Sequence, residues 1–234
     1  MQSRGSASST RTKPTKTSAP AGGAAAAANE TAERILDVAE RLVQTRGFNG
    51  MSYADVAEAI GVTKASLHYH FPTKADLGSR LIARYEANFV RALASIDAKQ
   101  TDPWKKLRDY TRIYEAVLAK DRMCLCGMLA AELSTLSPEM RTRLNAFFDA
   151  NEAWLIGVLE GGRIAGSLSF DGPAHAKARM LIGALEGAML LARAYGQVGR
   201  LAAVATELLA GLRTPSKRST ARLVVVGREG STGN

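Results

Sequence analysis

From Glu30 onward the chain takes on a helical rhythm, with Ile35, Ala39, Leu42 and Val43 on one stripe and Glu33, Arg34, Glu40 and Arg41 on the other. This predicts an amphipathic helix, and Gly47 is placed to end it in the left-handed conformation common past a helix C-terminus. In the next segment Ser52 and Asp55 have capping-box spacing, Val56, Ala57 and Ile60 form a short apolar face, and Gly61 stops the helix. A further short helix starts at Thr63 and ends near Phe71, where Pro72 disfavours helical geometry. Thr73, with Asp76 three residues later, then caps a long helix from Lys74.

The remainder reads as helices throughout. Breaks are expected near Asp102-Pro103, Ser137-Pro138, Gly161-Gly162, Asp171-Gly172-Pro173, Gly196 and Gly211. Ser137 as N-cap with Pro138 at the first helical position is a particularly clear start. No alternating strand pattern interrupts the series, and the apolar patch at Leu223 to Val226 stays unassigned. The expected fold class is all-α, in two folding units.

Composition changes this picture mainly at the ends. The net charge of +9 suggests a nucleic-acid partner, but the basic excess sits in residues 1–29 and 213–234. Between them acids and bases all but balance, so bulk charge says little about the folded part. The expected organisation is a flexible basic tail (1–29), a helix-turn-helix domain (30–80), an effector-binding and dimerisation domain (81–212) and a second basic tail (213–234). No apolar run approaches the roughly 18 residues a membrane helix requires. The N-terminal segment is too weakly apolar for a signal peptide. Two cysteines, Cys124 and Cys126, provide neither a disulfide framework nor a zinc site, which together with the rest implies a cytoplasmic protein.

Reading DNA through the major groove requires a short helix held rigidly against a supporting one, with side chains on its exposed face that reach base edges. Residues 52–71 fit this requirement: Leu67 and Phe71 pack inward four apart, leaving Lys64, Ala65, Ser66, His68, Tyr69 and His70 outward. The stretch from Tyr53 to Leu77, containing Val62-Thr63-Lys64-Ala65-Ser66-Leu67-His68-Tyr69-His70-Phe71-Pro72-Thr73-Lys74, closely resembles the TetR/AcrR family of transcriptional regulators. The resemblance covers residues 32–80 strongly, and the later helices match in number and order. It implies base-edge or groove contacts by Lys64, Ala65, Ser66 and His68, and phosphate contacts by Tyr53, Tyr69, His70 and Lys74. His68 stands where many members carry tyrosine.

Residues 173–195 contain few charges, with Leu181, Leu185, Met189 and Ala192 on one stripe and Ile182, Leu190 and Leu191 elsewhere, so this helix must be buried on more than one side. Leu201, Val204, Leu208 and Leu212 continue the pattern. The resemblance makes the last two helices a homodimer contact, with Leu181, Leu185, Met189, Leu201, Val204 and Leu208 as its expected residues. A two-fold dimer would set two recognition helices about one DNA turn apart, on a palindromic double-stranded operator.

Trp104, Tyr114, Cys124, Cys126, Phe147 and Trp154 are the candidates to line or sense at a small-molecule effector pocket, which the resemblance places in the middle helices. The setting of the two thiols weakly resembles that in electrophile- and acrylate-responsive members of the family. Nearby Lys120 and Arg122, or a helix N-terminus, would lower a thiol pKa and favour the reactive thiolate, whereas a buried thiol would only pack. No nucleophile with its base, phosphate loop or metal cluster is visible, so neither an enzyme nor a cofactor is expected. His68 and His70, two apart on a helix, do not share a face for a metal. The reading is therefore a repressor released by a small molecule or electrophile. The alternative is a DNA-bound structural or protein-interaction factor without an effector.

Overall fold

The structure, a computed structural model, describes residues 21–213. Nine α-helices and one 3-10 turn follow one another over these residues: α1 (Ala21–Arg46), α2 (Tyr53–Ile60), α3 (Lys64–His70), α4 (Lys74–Lys99), α5 (Pro103–Leu118), α6 (Leu125–Ala131), the turn Leu133–Thr135, α7 (Pro138–Ile164), α8 (Ala174–Ala194) and α9 (Gly199–Ala210). The only extended pairing among them is a single bridge between Leu168 and Arg213. The all-α expectation holds. The basic tails fall outside the described residues except for 21–29 and Arg213. Residues 21–29, expected as tail, are the first turns of α1, in keeping with a run of alanines, the strongest helix formers.

The caps legible in the sequence are present. Ser52 and Asp55 form a reciprocal capping box, as do Thr73 and Asp76, and Thr63 Oγ1 accepts from Ser66 N. Gly61 takes φ +72°, which ends α2. Asp102 caps α5 and Ser137 caps α7. One break is displaced: α7 runs through Gly161-Gly162 and ends at Ile164. Gly162 serves packing there, since a Cβ would lie 2.3 Å from a methyl of Leu168.

Ile35, Leu36, Ala39 and Val43 of α1 bury their stripe together with Val56, Leu67, Leu77 and Leu81, making the small core of the first three helices and the start of α4. Helix α4 is shared by both halves of the molecule, because farther along it Phe89, Leu93 and Ile96 enter the core formed with α5 and α7. Arg84, in the middle of α4, fastens the two together: its Nη1 donates to Asp37 Oδ1 at 2.7 Å and to Glu33 Oε2 at 3.2 Å, and its Nη2 to Glu40 Oε2 at 2.9 Å.

Two further struts reach α1 from the second half. Arg193 of α8 donates to the carbonyls of Gln44 and Thr45 at 3.2 and 2.6 Å, occupying acceptors that a helix C-terminus leaves free. Glu132, just past α6, accepts from the backbone N–H groups of Phe48 and Asn49 at 2.8 and 3.0 Å. A displacement of α4, α6 or α8 therefore reaches the helix-turn-helix through charged hydrogen bonds as well as apolar contacts.

Candidate nucleic-acid interface and effector domain

Helix α3 presents its outer face much as the sequence implies. Leu67 and Phe71 are buried, Lys64, Ala65, His68 and Tyr69 are exposed, and Ser66 and His70 are half-buried. Tyr69 is the most prominent, at 79 % exposure, with His70 packed edge-on against its ring. Thr63 at one end and Phe71 N–H, which donates to Leu67 O at 2.7 Å, leave a helix of seven residues little freedom to fray.

Tyr53, Lys64, His68 and Lys74 converge on one open groove of about 540 Å³, shared with Asn49 and Ser52. Tyr53 is held inside it: its hydroxyl is within donor distance of both the Phe71 and Thr73 carbonyls, at 2.8 and 2.6 Å, and burial raises its pKa to about 12. One tyrosine thus staples α2 to the α3–α4 turn, and its role is to fix the recognition helix as well as to border the groove. His68 lies against the Tyr53 ring at 4.8 Å, with Nδ1 3.1 Å from Pro72 O, so Nε2 is the ring nitrogen left to a partner. Lys74 Nζ sits 4.6 Å over the Phe48 ring. Burial pulls its pKa down, against the charges of Glu132 and Asp55.

The expected dimer residues divide. Leu181, Leu185, Met189 and Leu201 are buried within the protomer, so they correct the sequence reading: they build the core between α7, α8 and α9 and are closed to a second chain. Val204 and Leu208 lie on the outer side, where they line a groove of about 440 Å³ with Lys177, Met180, Ala203 and Glu207. The large apolar side chains left uncovered on α8 and just beyond it are Met180, Leu190, Leu191 and Tyr195. Gly183 and Gly187 have open space where a Cβ would stand. A stripe of this kind, rimmed by charge, is the usual mark of a protein contact.

The six effector candidates are not brought to one place. Trp104 lines a separate groove between α5 and α9, with Arg213 over its ring at 4.9 Å. Trp154 stacks on Tyr110 and donates through Nε1 to Asp97 at 2.9 Å. Tyr114 and Cys124 line a small cavity of about 10 Å³ with Tyr85, Phe89, Ile113, Val117 and Met189, and Phe147 backs the Tyr85 and Phe89 rings. Cys126 is fully buried beside them. Of the two settings weighed for the thiols, the buried one is found: burial, followed by the negative charge of Glu186, pushes Cys124 up, and burial does the same to Cys126. Cys124 does cap α6, but the helix terminus is outweighed by loss of solvent.

Sequence reasoning missed Glu186. It lies on α8 facing Cys124, its Oε1 is shut off from solvent with no hydrogen-bond partner among the described residues, and burial raises its pKa. Gly127 makes room for it, because a Cβ there would stand 2.3 Å from Glu186 Oε2. Asn49, Glu132 and Arg193 were likewise missed; each acts through a partner distant in sequence, which periodicity does not register.

Residues 35–81 match the model described as bacterial regulatory proteins, tetR family, and residues 103–208 match a tetracyclin repressor-like C-terminal domain. A TetR family transcriptional regulator from Agrobacterium tumefaciens superposes with a TM-score of 0.78 at 32% identity, covering 80% of this chain and 99% of that one. The chain belongs to the TetR family. Relatives of this TetR family regulator include the transcriptional regulator AcuR of Cereibacter sphaeroides, 29% identical over 63% of this chain and 69% of that protein. The reduced form of Escherichia coli NemR superposes with a TM-score of 0.69 at 27% identity, covering 80% of this chain and 99% of NemR. The family is one of DNA-binding transcriptional regulators, and helices α1 to α3 are its helix-turn-helix domain. Among the described residues no helix is long and apolar enough to cross a membrane, and no three His, Cys, Asp or Glu side chains are placed to hold a metal ion.

Proposed function

We propose that this TetR family regulator is a cytoplasmic repressor that binds a palindromic double-stranded operator as a homodimer and leaves it when a small molecule enters residues 81–212. The observation that carries the reading is the outer face of α3, where Lys64, Ala65 and His68 stand exposed on a helix fixed by Thr63, Tyr53 and a buried Leu67. Tyr69, His70 and Lys74 border it as phosphate contacts, and the uncovered stripe of α8 with Val204 and Leu208 of α9 joins two copies. The closed surroundings of Cys124 and Cys126 favour a bound effector over an electrophile that must find a thiolate.

The assignment of roles is tested by salt titration of operator binding. Phosphate contacts position the protein and release counterions, while base contacts specify sequence. Lys74→Ala is expected to weaken binding to every sequence and to lower the slope of log K against log salt by about one. Ser66→Ala and His68→Ala are expected to keep that slope and relax preference among operator variants. Unchanged affinity of Lys74→Ala across the titration contradicts the docking.

A further inference from the structure

We propose that His68 is a specificity-determining residue that reads the exocyclic amino group of adenine or cytosine in the major groove and rejects the keto bases guanine and thymine. This rests on the reading of α3 as the recognition helix and names the chemistry that helix meets at one position of each half-site. His68 stands exposed on the outer face of α3, one turn after Lys64, and borders the open groove lined by Tyr53 of α2 and Lys74 of α4. Its ring is fixed from two sides. Nδ1 lies 3.1 Å from the Pro72 carbonyl oxygen, and the Tyr53 ring packs against it at 4.8 Å between centroids. Tyr53 is held in turn through its hydroxyl, which lies 2.8 and 2.6 Å from the Phe71 and Thr73 carbonyls.

A carbonyl oxygen can only accept, so the bond to Pro72 requires the proton on Nδ1. In the neutral ring Nε2 then carries a lone pair and no hydrogen. His68 therefore brings an acceptor to the DNA, where Lys64 and Lys74 on the same groove bring donors. A phosphate oxygen, itself an acceptor with negative charge, gains nothing from such a nitrogen. Guanine presents N7 and O6 in the major groove and thymine O4, all acceptors, whereas the N6 amino group of adenine and the N4 amino group of cytosine donate. Setting Nε2 against a keto oxygen leaves both without a partner. The expected signature is a preference for A or C over G or T on the strand that His68 meets. It cuts across the division into purines and pyrimidines that base size alone would produce. A tyrosine hydroxyl, by contrast, both donates and accepts and would draw no such line.

The test has two parts, both on the full-length protein at pH 8, where free imidazole is neutral. Nitrogen-15 spectra of the histidine rings, with His68→Gln to identify the signal, are expected to show Nδ1 protonated and Nε2 bare in His68. Affinity is then measured for an operator selected from a random pool, with each of the four bases placed in turn at every half-site position. At one position wild type is expected to bind A or C about tenfold more tightly than G or T, and His68→Ala to bind all four within about twofold of one another. Purine in place of the preferred adenine, or pyrimidin-2-one in place of cytosine, deletes the amino group alone; it is expected to cost wild type about tenfold and His68→Ala little. His68→Arg, which offers donors only, is expected to move the preference to G. A hydrogen on Nε2, a preference for G or T that vanishes in His68→Ala, or base preferences unchanged in His68→Ala overturns the proposal while the repressor reading stands. So does a uniform loss of affinity in His68→Ala with a salt slope lower by about one, the mark of a phosphate contact. Failure to select any operator overturns the repressor reading itself, and this proposal with it.

Discussion

Leu185→Glu and Leu191→Glu, six residues apart on one helix, should fail in different ways. Leu185 is wholly buried in the protomer, so a carboxylate there has no solvent and no partner. The cost of roughly 4 kcal/mol or more consumes much of a domain's 5–15 kcal/mol. The expected result is a protein that unfolds near or below room temperature, or is recovered only as aggregate. Leu191, at 58 % exposure, gives its carboxylate to water in the monomer and buries it only in the proposed dimer. The variant should keep a wild-type helical spectrum and melting curve as a monomer, sediment at half the mass, and lose roughly 100-fold or more in operator affinity, since two linked half-site contacts become one. Val204→Glu should follow Leu191→Glu. If Leu191→Glu remains a dimer at micromolar concentration, the contact lies on another face.

Replacing Arg84 with alanine should be the most damaging single change to the connection between the two halves of the molecule. Its side chain is 17% exposed and its guanidinium meets three carboxylates of α1, of which Glu40 is itself largely enclosed at 19%. Removing the arginine leaves Glu40 beside α4 without a cation. Because Asp37 and Glu33 keep access to water, the loss is below that of a fully buried pair, about 2 kcal/mol, or a fall of about 6 °C in Tm. The effect should shrink in Arg84→Ala/Glu40→Gln, where the stranded charge is gone. A melting temperature within a degree or so of wild type would show that α1 is held to α4 by apolar packing alone.

The sequence made the DNA-binding half legible because its information is local. Ser52, Thr63 and Thr73 act on backbone N–H groups within three residues, Gly61 acts on its own backbone, and Phe71 stops where Pro72 forces it to. The outward set on α3 follows from one buried residue, Leu67, and a fixed helical period. Helix α8 is different. Apolar residues occupy most of its circumference, and a hydrophobic side chain is equally suited to its own core and to a partner's surface, so the stripe of Leu181, Leu185 and Met189 read as interface proves to be interior. Nor does spacing reveal Glu186, Glu132 or Arg193, whose meaning comes from what α6 or α1 brings opposite them. Lys120 and Arg122 are close to the thiols in sequence, yet depth in the core and Glu186 decide the thiol pKa.

The central claim is that two copies of α3 read one palindrome. Selection of DNA from a random pool by the full-length protein, followed by nuclease protection of the enriched sequence, tests it most directly. The account predicts a single inverted repeat, protected over two half-sites about 34–36 Å apart between centres and bound roughly 1,000-fold or more tightly than unrelated DNA at physiological salt. Recovery of no common sequence, with salt-sensitive coating of all DNA at similar affinity, would contradict it and leave a structural DNA-binding protein in its place.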